Sequence, residues 1–212
     1  SPRALSMPAQ IAEHRSDDPS LSFGQGKLFI VSVPGLSFQE IEQLETLPTW
    51  RRLLDAKMAA MNVRTPERGV EDTYLSMGSG APAVAWGHIQ GWMKQEQVGG
   101  VSAETLLKRY IGDRSEGRIL IPAWLEMERF NKRQSYSAVP GLLGEQLKRA
   151  GIDRYVFGNR DITVDISSDE SLHSRHAPLA LADKAGAVQN GNIGIDMNVR
   201  RADRPFGIRT NY

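Results

Sequence analysis

Cysteine is absent from the 212 residues, which removes disulfides, thiolate metal centres and cysteine nucleophiles from consideration. No apolar run approaches the roughly 18 residues that a membrane-crossing helix needs, and no charged-then-apolar leader opens the chain. Nor is there a surplus of one charge to attract a polyanion: 26 Lys and Arg face 25 Asp and Glu, for a formal net charge of +1. That balance argues against a nucleic-acid or acidic-membrane partner. Internal repeats and low-complexity blocks are missing too, so solenoids and fibrous arrays are set aside. What remains is an ordinary globular composition, 40% hydrophobic and 24% charged, long enough to bury one sizeable core. The chain reads as soluble. It starts at Ser1 rather than Met, which leaves room for a processed upstream segment and hence for export.

The strongest apolar signal is Lys27-Leu28-Phe29-Ile30-Val31-Ser32-Val33, followed by Pro34-Gly35. A continuous β-branched run ending in a turn predicts a buried central strand. Ligands of open α/β sheets sit outside the carboxyl ends of strands, so function is expected near Pro34. Residues 1–26 are polar and proline-punctuated and read as a tether; residues 27–212 read as one α/β domain. Ser37 is placed to cap a helix through Leu44, with Glu40 in its first turns. A second helix from Pro48 carries Trp50, Leu53, Leu54 and Met58 on one face. Ala59 to Thr65 then returns as a parallel strand, which predicts a β-α-β crossover and a three-layer α/β/α sandwich with a mainly parallel central sheet.

Further along, Pro66 to Gly69 is a turn, Val70 to Met77 a short helix and Gly78 to Pro82 a small-residue break. Ser102 caps a helix that buries Leu106, Leu107, Tyr110 and Ile111 and stops at Gly112. Pro122 opens another, with Trp124, Leu125, Met127 and Phe130. Pro140 and Gly151 bracket a third, with Val139, Leu142, Leu143 and Leu147 inward, leading to a strand from Arg154 to Phe157. Asp161 to Ser168 reads as an edge strand and 169–176 as a polar loop. Leu179 to Ala182 and Ala187 to Gln189 read as a hairpin with Gly186 left-handed. The remainder, from Asn190 to Tyr212, is turn-rich.

Several short motifs occur in a fixed order: Ser32-Val33-Pro34-Gly35-Leu36, Met61-Asn62-Val63-Arg64-Thr65, Tyr74-Leu75-Ser76-Met77-Gly78-Ser79-Gly80, Pro140-Gly141-Leu142-Leu143-Gly144-Glu145-Gln146-Leu147, Val156-Phe157-Gly158-Asn159-Arg160-Asp161 and Pro205-Phe206-Gly207-Ile208-Arg209-Thr210. From Lys27 to Tyr212 the chain thereby resembles the N-terminal half of a bacterial branch of the alkaline-phosphatase-like superfamily, one with degenerate active-site motifs. The resemblance implies an extracytoplasmic domain, in some relatives ahead of membrane segments. It also implies a divalent-metal ligand just after the first strand, a Ser or Thr nucleophile at a helix N-terminus, and further Asp and His ligands beyond Tyr212. Two metals would polarise the transferred group and activate the nucleophile.

The chain departs from that chemistry. Pro34 stands where the resemblance calls for Asp and offers at most a backbone carbonyl to a hard cation. The nucleophile position falls near Gly69 or Val70, neither of which carries a hydroxyl; Thr73 and Ser76 are the weak substitutes, with Thr65 the other nearby hydroxyl. The helix N-terminus at Val70 still offers free N–H groups to an anion, but Glu71 and Asp72 oppose one and read first as ordinary first-turn acids. Asn159, Arg160 and Asp161 should emerge at the same sheet edge as Pro34, where Arg160 is a candidate anion contact. Asn and Asp there also read as turn formers. The ligand-binding candidates are thus Glu71, Asp72, Asn159, Arg160 and Asp161.

Other clusters point to structure. His173-Ser174-Arg175-His176, after Asp169 and Glu170, lacks a third-ligand pattern and reads as a solvated loop. Gly78-Ser79-Gly80 follows a helix rather than a strand, so close packing explains it better than a dinucleotide. Trp50, Trp86, Trp92 and Trp124 read as packing residues, and Arg200, Arg201, Arg204 and Arg209 as a solvated basic face. The expected function is a non-catalytic extracytoplasmic binding or interaction module. No cofactor is expected, no nucleic acid is a partner, a protein partner fits, and membrane tethering would come from segments outside this chain. The alternative is a metal-dependent phosphoester or sulfate-ester hydrolase or phosphotransferase, with Zn, Mn or Mg, completed by a C-terminal half.

Overall fold

A computed structural model describes residues 27–33, 37–44, 47–48, 65, 67, 69–85, 89–114, 116–161, 173–203 and 207–211. Two compact units are present, Ser1–Ala56 and Lys57–Tyr212. In the first unit, helix α1 (Phe38–Leu44) begins as the sequence predicts. The Ser37 N–H and hydroxyl both donate to Glu40 Oε2, at 2.6 and 2.7 Å, and the Glu40 N–H donates back to Ser37 Oγ. This is the reciprocal capping box of a Ser-x-x-Glu sequence. Those bonds hold the Glu40 carboxyl below its ordinary pKa.

The expected central strand is not formed. Residues 27–33 carry no strand, and Leu28, Phe29 and Val31 are more than three-quarters exposed. An apolar β-branched run specifies a strand only where another strand accepts from its N–H groups and donates to its C=O groups. Pro34 and nearly all of the expected crossover, including Trp50, Leu53, Leu54, Met58 and residues 59–64, lie outside the described residues.

In the second unit the sheets are small and mostly antiparallel. Strands β1 (Trp92–Met93), β4 (Ile119–Leu120) and β6 (Ala187–Val188) form one antiparallel sheet in the order β1-β4-β6. A hairpin joins β2 (Gln97–Val98) to β3 (Val101–Ser102), and β8 (Asn198–Arg200) pairs antiparallel with β9 (Ile208–Thr210). Among the described residues, β5 (Tyr155–Phe157) and β7 (Asn190–Asn192) make the parallel pair. The three-layer sandwich with a mainly parallel central sheet is therefore corrected to a mixed α/β arrangement of several small sheets. The doubly wound expectation took the 27–33 run as its first strand, and without that strand the inferred crossover has nothing to return to.

The run Ile119-Leu120-Ile121, strand β4 and the residue after it, is fully buried, with every residue at 0% exposure. Alternation sends Ile119 and Ile121 into one apolar cluster with Leu75, Trp124, Met127, Leu179 and Val188, and Leu120 into a second with Trp92, Ala103, Leu107 and Ala187. The sheet is covered on both faces, which is why this segment reads as an unbroken apolar run between Arg118 and Pro122.

Helices flank it. Helix α2 spans Val70–Ser79, α3 Ala103–Ile111, α4 Trp124–Asn131, α5 Leu142–Arg149 and α6 Pro178–Leu181. The Ser102 hydroxyl accepts from the Thr105 N–H and Gly112 ends α3, as predicted. Leu107, Trp124 and Met127 are buried, while Tyr110 and Val139, expected inward, are 53% and 42% exposed. The expected hairpin is corrected at its first arm: 178–181 is a helical turn, and Gly186, at φ 73°, returns the chain to β6.

Short helix α6 is gripped by its neighbours' glycines. A Cβ on Gly78 of α2 would lie 2.7 Å from the Ala180 carbonyl oxygen and 2.8 Å from that of Leu179, and one on Gly144 of α5 would strike the Leu181 and Ala182 carbonyls. Gly78→Ala should therefore destabilise the protein by roughly 1–3 kcal/mol in urea unfolding through overpacking, although Ala is the better helix former. An unchanged midpoint would show that α2 and α6 do not pack this closely.

Candidate functional site

Two polar clusters contain the candidates named from the sequence. The first is built at the start of α2, where the peptide N–H groups lack helical acceptors. Asp72, 1% exposed, turns back to fill that need. Its Oδ2 accepts from the Gly69 and Glu67 N–H groups, both at 3.3 Å, and its Oδ1 from the Ala85 N–H at 2.7 Å. Thr73 Oγ1 donates to the Gly69 carbonyl at 3.2 Å. Ser76 Oγ accepts from the Ala83 N–H at 2.9 Å and donates to the Ala83 carbonyl at 3.3 Å. Asn131, fully buried on α4, exchanges both bonds with the Val84 backbone. Residues 83–85 are thus stitched to α2 and α4 by Ser76, Asn131 and Asp72. Glu71 is half-buried in the same first turn.

The second cluster lies beyond β5. The Asn159 side-chain amide donates to the Ile193 and Gly194 carbonyls at 2.9 and 2.8 Å, and its oxygen accepts from the Asp161 N–H. This is the turn-forming role that the sequence allows for Asn. Asp161, 6% exposed, meets Arg175, 1% exposed. Arg175 Nε and Nη2 reach Asp161 Oδ2 at 2.7 and 2.5 Å, and Nη1 reaches both Glu96 oxygens at 2.7 and 2.6 Å. Asp161 Oδ1 accepts from the Ser174 N–H, and Glu96 Oε2 also accepts from the Met93 N–H. The guanidinium lies 5.7 Å from the centre of the Trp92 ring, whose edge meets His173 at 5.1 Å. Burial works against the Arg175 charge, yet the hydrogen bonds to Asp161 and Glu96 more than offset it and raise its pKa above the ordinary value. Arg160 projects into solvent from the same turn.

The structure thus brings Asn159 and Asp161 together and places Glu71, Asp72, Thr73 and Ser76 along α2. Arg175 corrects the solvated-loop reading of 173–176, and Asp169 and Glu170 lie outside the described residues. Sequence reasoning missed Arg175, Glu96 and Asn131. The Arg175 partner Glu96 is 79 positions away, and no local pattern reports such a pairing. A second buried Arg–Asp pair, Arg154 with Asp183, is joined from the surface by Lys148 at 3.1 Å. Among the described residues, no three His, Asp or Glu side chains are placed to share an ion.

Chemically, these carboxylates and hydroxyls act as fasteners for the backbone and for a buried cation. What faces outward is different in kind. On β5 only Val156 is buried, while Tyr155 and Phe157 are 53% and 66% exposed and stack at 6.2 Å with ring planes 13° apart. The strand read from sequence as core is instead an edge with one aromatic face in solvent.

Removing Arg175 would leave Asp161 as an uncompensated buried charge. Arg175→Met should cost on the order of 3–5 kcal/mol in urea unfolding. Arg154→Met should cost less, because Asp183 retains Lys148 and two backbone donors, the Ala185 and Ala187 N–H groups. Equal losses would contradict the central position given to Arg175.

No protein-family model matches this chain, and neither the curated proteins nor the solved structures contain a match.

Proposed function

We propose that this chain is a non-catalytic extracytoplasmic binding or interaction module, related through its ordered motifs to the bacterial alkaline-phosphatase-like branch. One observation carries the non-catalytic reading: the candidate side chains Asp72, Thr73, Ser76, Asn159 and Asp161 all bond to the protein itself. A nucleophilic hydroxyl needs a base beside it, and a metal-binding carboxylate needs free oxygens directed at the ion. Asp72 and Asp161 instead direct both oxygens at internal donors. The exposed Tyr155–Phe157 pair supplies the interaction surface, since aromatic side chains are enriched where proteins meet. Support for extracytoplasmic placement comes from the resemblance. Among the described residues no helix is long and apolar enough to cross a membrane.

The reading predicts that Mn²⁺ or Zn²⁺ does not bind stoichiometrically in equilibrium dialysis. It also predicts that aryl phosphates and aryl sulfates are not turned over, by this chain or by any longer protein that carries it. Asp72→Ala should lower stability by roughly 1–3 kcal/mol by stranding buried N–H groups. Two tightly bound ions, or turnover lost in Thr73→Val or Ser76→Ala, would overturn the reading.

A further inference from the structure

The parallel pairing of β5 with β7 leaves the other edge of β5 distinctive. The Arg154 carbonyl accepts from the Asn190 N–H and the Gly158 N–H donates to the Asn192 carbonyl. Alternate residues of a parallel strand bond to the same neighbour, so 154, 156 and 158 serve β7, while the N–H and C=O of Tyr155 and Phe157 point to the opposite edge. No strand pairs with that edge among the described residues. An unpaired edge is a template for another chain unless charge, proline or a bulge blocks it. Here the two outward residues are aromatic and exposed.

We propose that this edge joins a second copy of the chain, β5 to β5, antiparallel about a twofold axis through Val156. This deepens, and rests on, the reading of the β5 edge as an interaction surface. The choice of occupant follows from self-complementarity. In that register Tyr155 of one copy lies opposite Phe157 of the other, and each such pair is a hydrogen-bonded one in which both residues donate and accept. Every outward backbone group of β5 then has a partner. Directly opposed residues share a face, so the Tyr155–Phe157 stack of one copy meets that of the other. The ends agree as well. Asp153 precedes β5 and Arg160 follows it, both exposed, and antiparallel pairing brings the acidic end of one strand toward the basic end of its mate. Parallel pairing would set like charges together. The contact is isologous and closes at two copies.

Sedimentation equilibrium of the full chain over a concentration series tests this. The proposal expects a mass that rises to twice that of one chain. Tyr155→Lys/Phe157→Lys sets like charges opposite each other and should hold the mass at one chain. Tyr155→Glu/Phe157→Lys sets opposite charges across the same register and should restore the dimer. Both substituted positions carry exposed side chains, and circular dichroism matching the parent verifies the fold of each variant. A monomer at every concentration, a dimer insensitive to the double-lysine variant, or failure of the charge-swapped variant to reassociate would each overturn the proposal. None of these outcomes bears on turnover or metal binding, so the non-catalytic reading stands or falls separately.

Discussion

A guanidinium cannot be left alone in a protein interior, and the second unit is arranged to satisfy that condition at Arg175. Its side chain is fully buried and draws together Glu96 from the β1–β2 connection, Asp161 from beyond β5 and the face of Trp92 from β1. Those groups belong to segments distant in sequence, so the ion cluster fixes how the β1-β4-β6 sheet stands relative to the β5–β7 pair. Its net contribution to stability need not be large, since desolvation consumes most of the Coulombic gain of a buried pair. What it supplies is uniqueness of arrangement, because any other placement strands a charge at a cost of several kcal/mol. The apolar clusters around Ile119, Leu120 and Ile121 provide the driving force, at roughly 1.5–3 kcal/mol per large buried side chain.

The same logic governs the start of α2. Asp72, Ser76 and Asn131 hold residues 83–85 against two helices, and each would cost stability if drawn away to a metal or substrate. Of the polar residues that a reader of the sequence would assign to chemistry, Asp72, Thr73, Ser76, Asn159 and Asp161 each bond to the protein itself. Among the described residues, the edge of β5 that pairs with no strand carries the exposed aromatic pair Tyr155 and Phe157.

Much of the helical structure is legible in the sequence because its determinants are local. Ser37 with Glu40, Ser102 with Thr105, and Gly112 set boundaries through bonds to residues a few positions away. The strands are not legible in the same way. Lys27 to Val33 has the composition of a core strand yet is exposed without one, whereas β4, only two residues long, is buried on both faces together with Ile121 after it. Composition reports what a segment could pair with, and topology decides whether it does. The candidate site divides likewise: the turn role of Asn159 follows from its type, but the burial of Asp161 and Asp72 depends on Arg175 and Ala85, partners that chain order does not reveal.

The central claim is that Asp72 and Asp161 are structural fasteners rather than ligands. Thermal unfolding of the parent chain with and without millimolar Mn²⁺ or Zn²⁺, alongside Asp72→Asn and Asp161→Asn, tests it most directly, because any ion bound only by the folded state raises the midpoint. The account predicts that metal leaves the parent midpoint unchanged while both substitutions lower it in the presence and absence of metal alike. A metal-dependent rise in the parent that vanishes in either variant would contradict it.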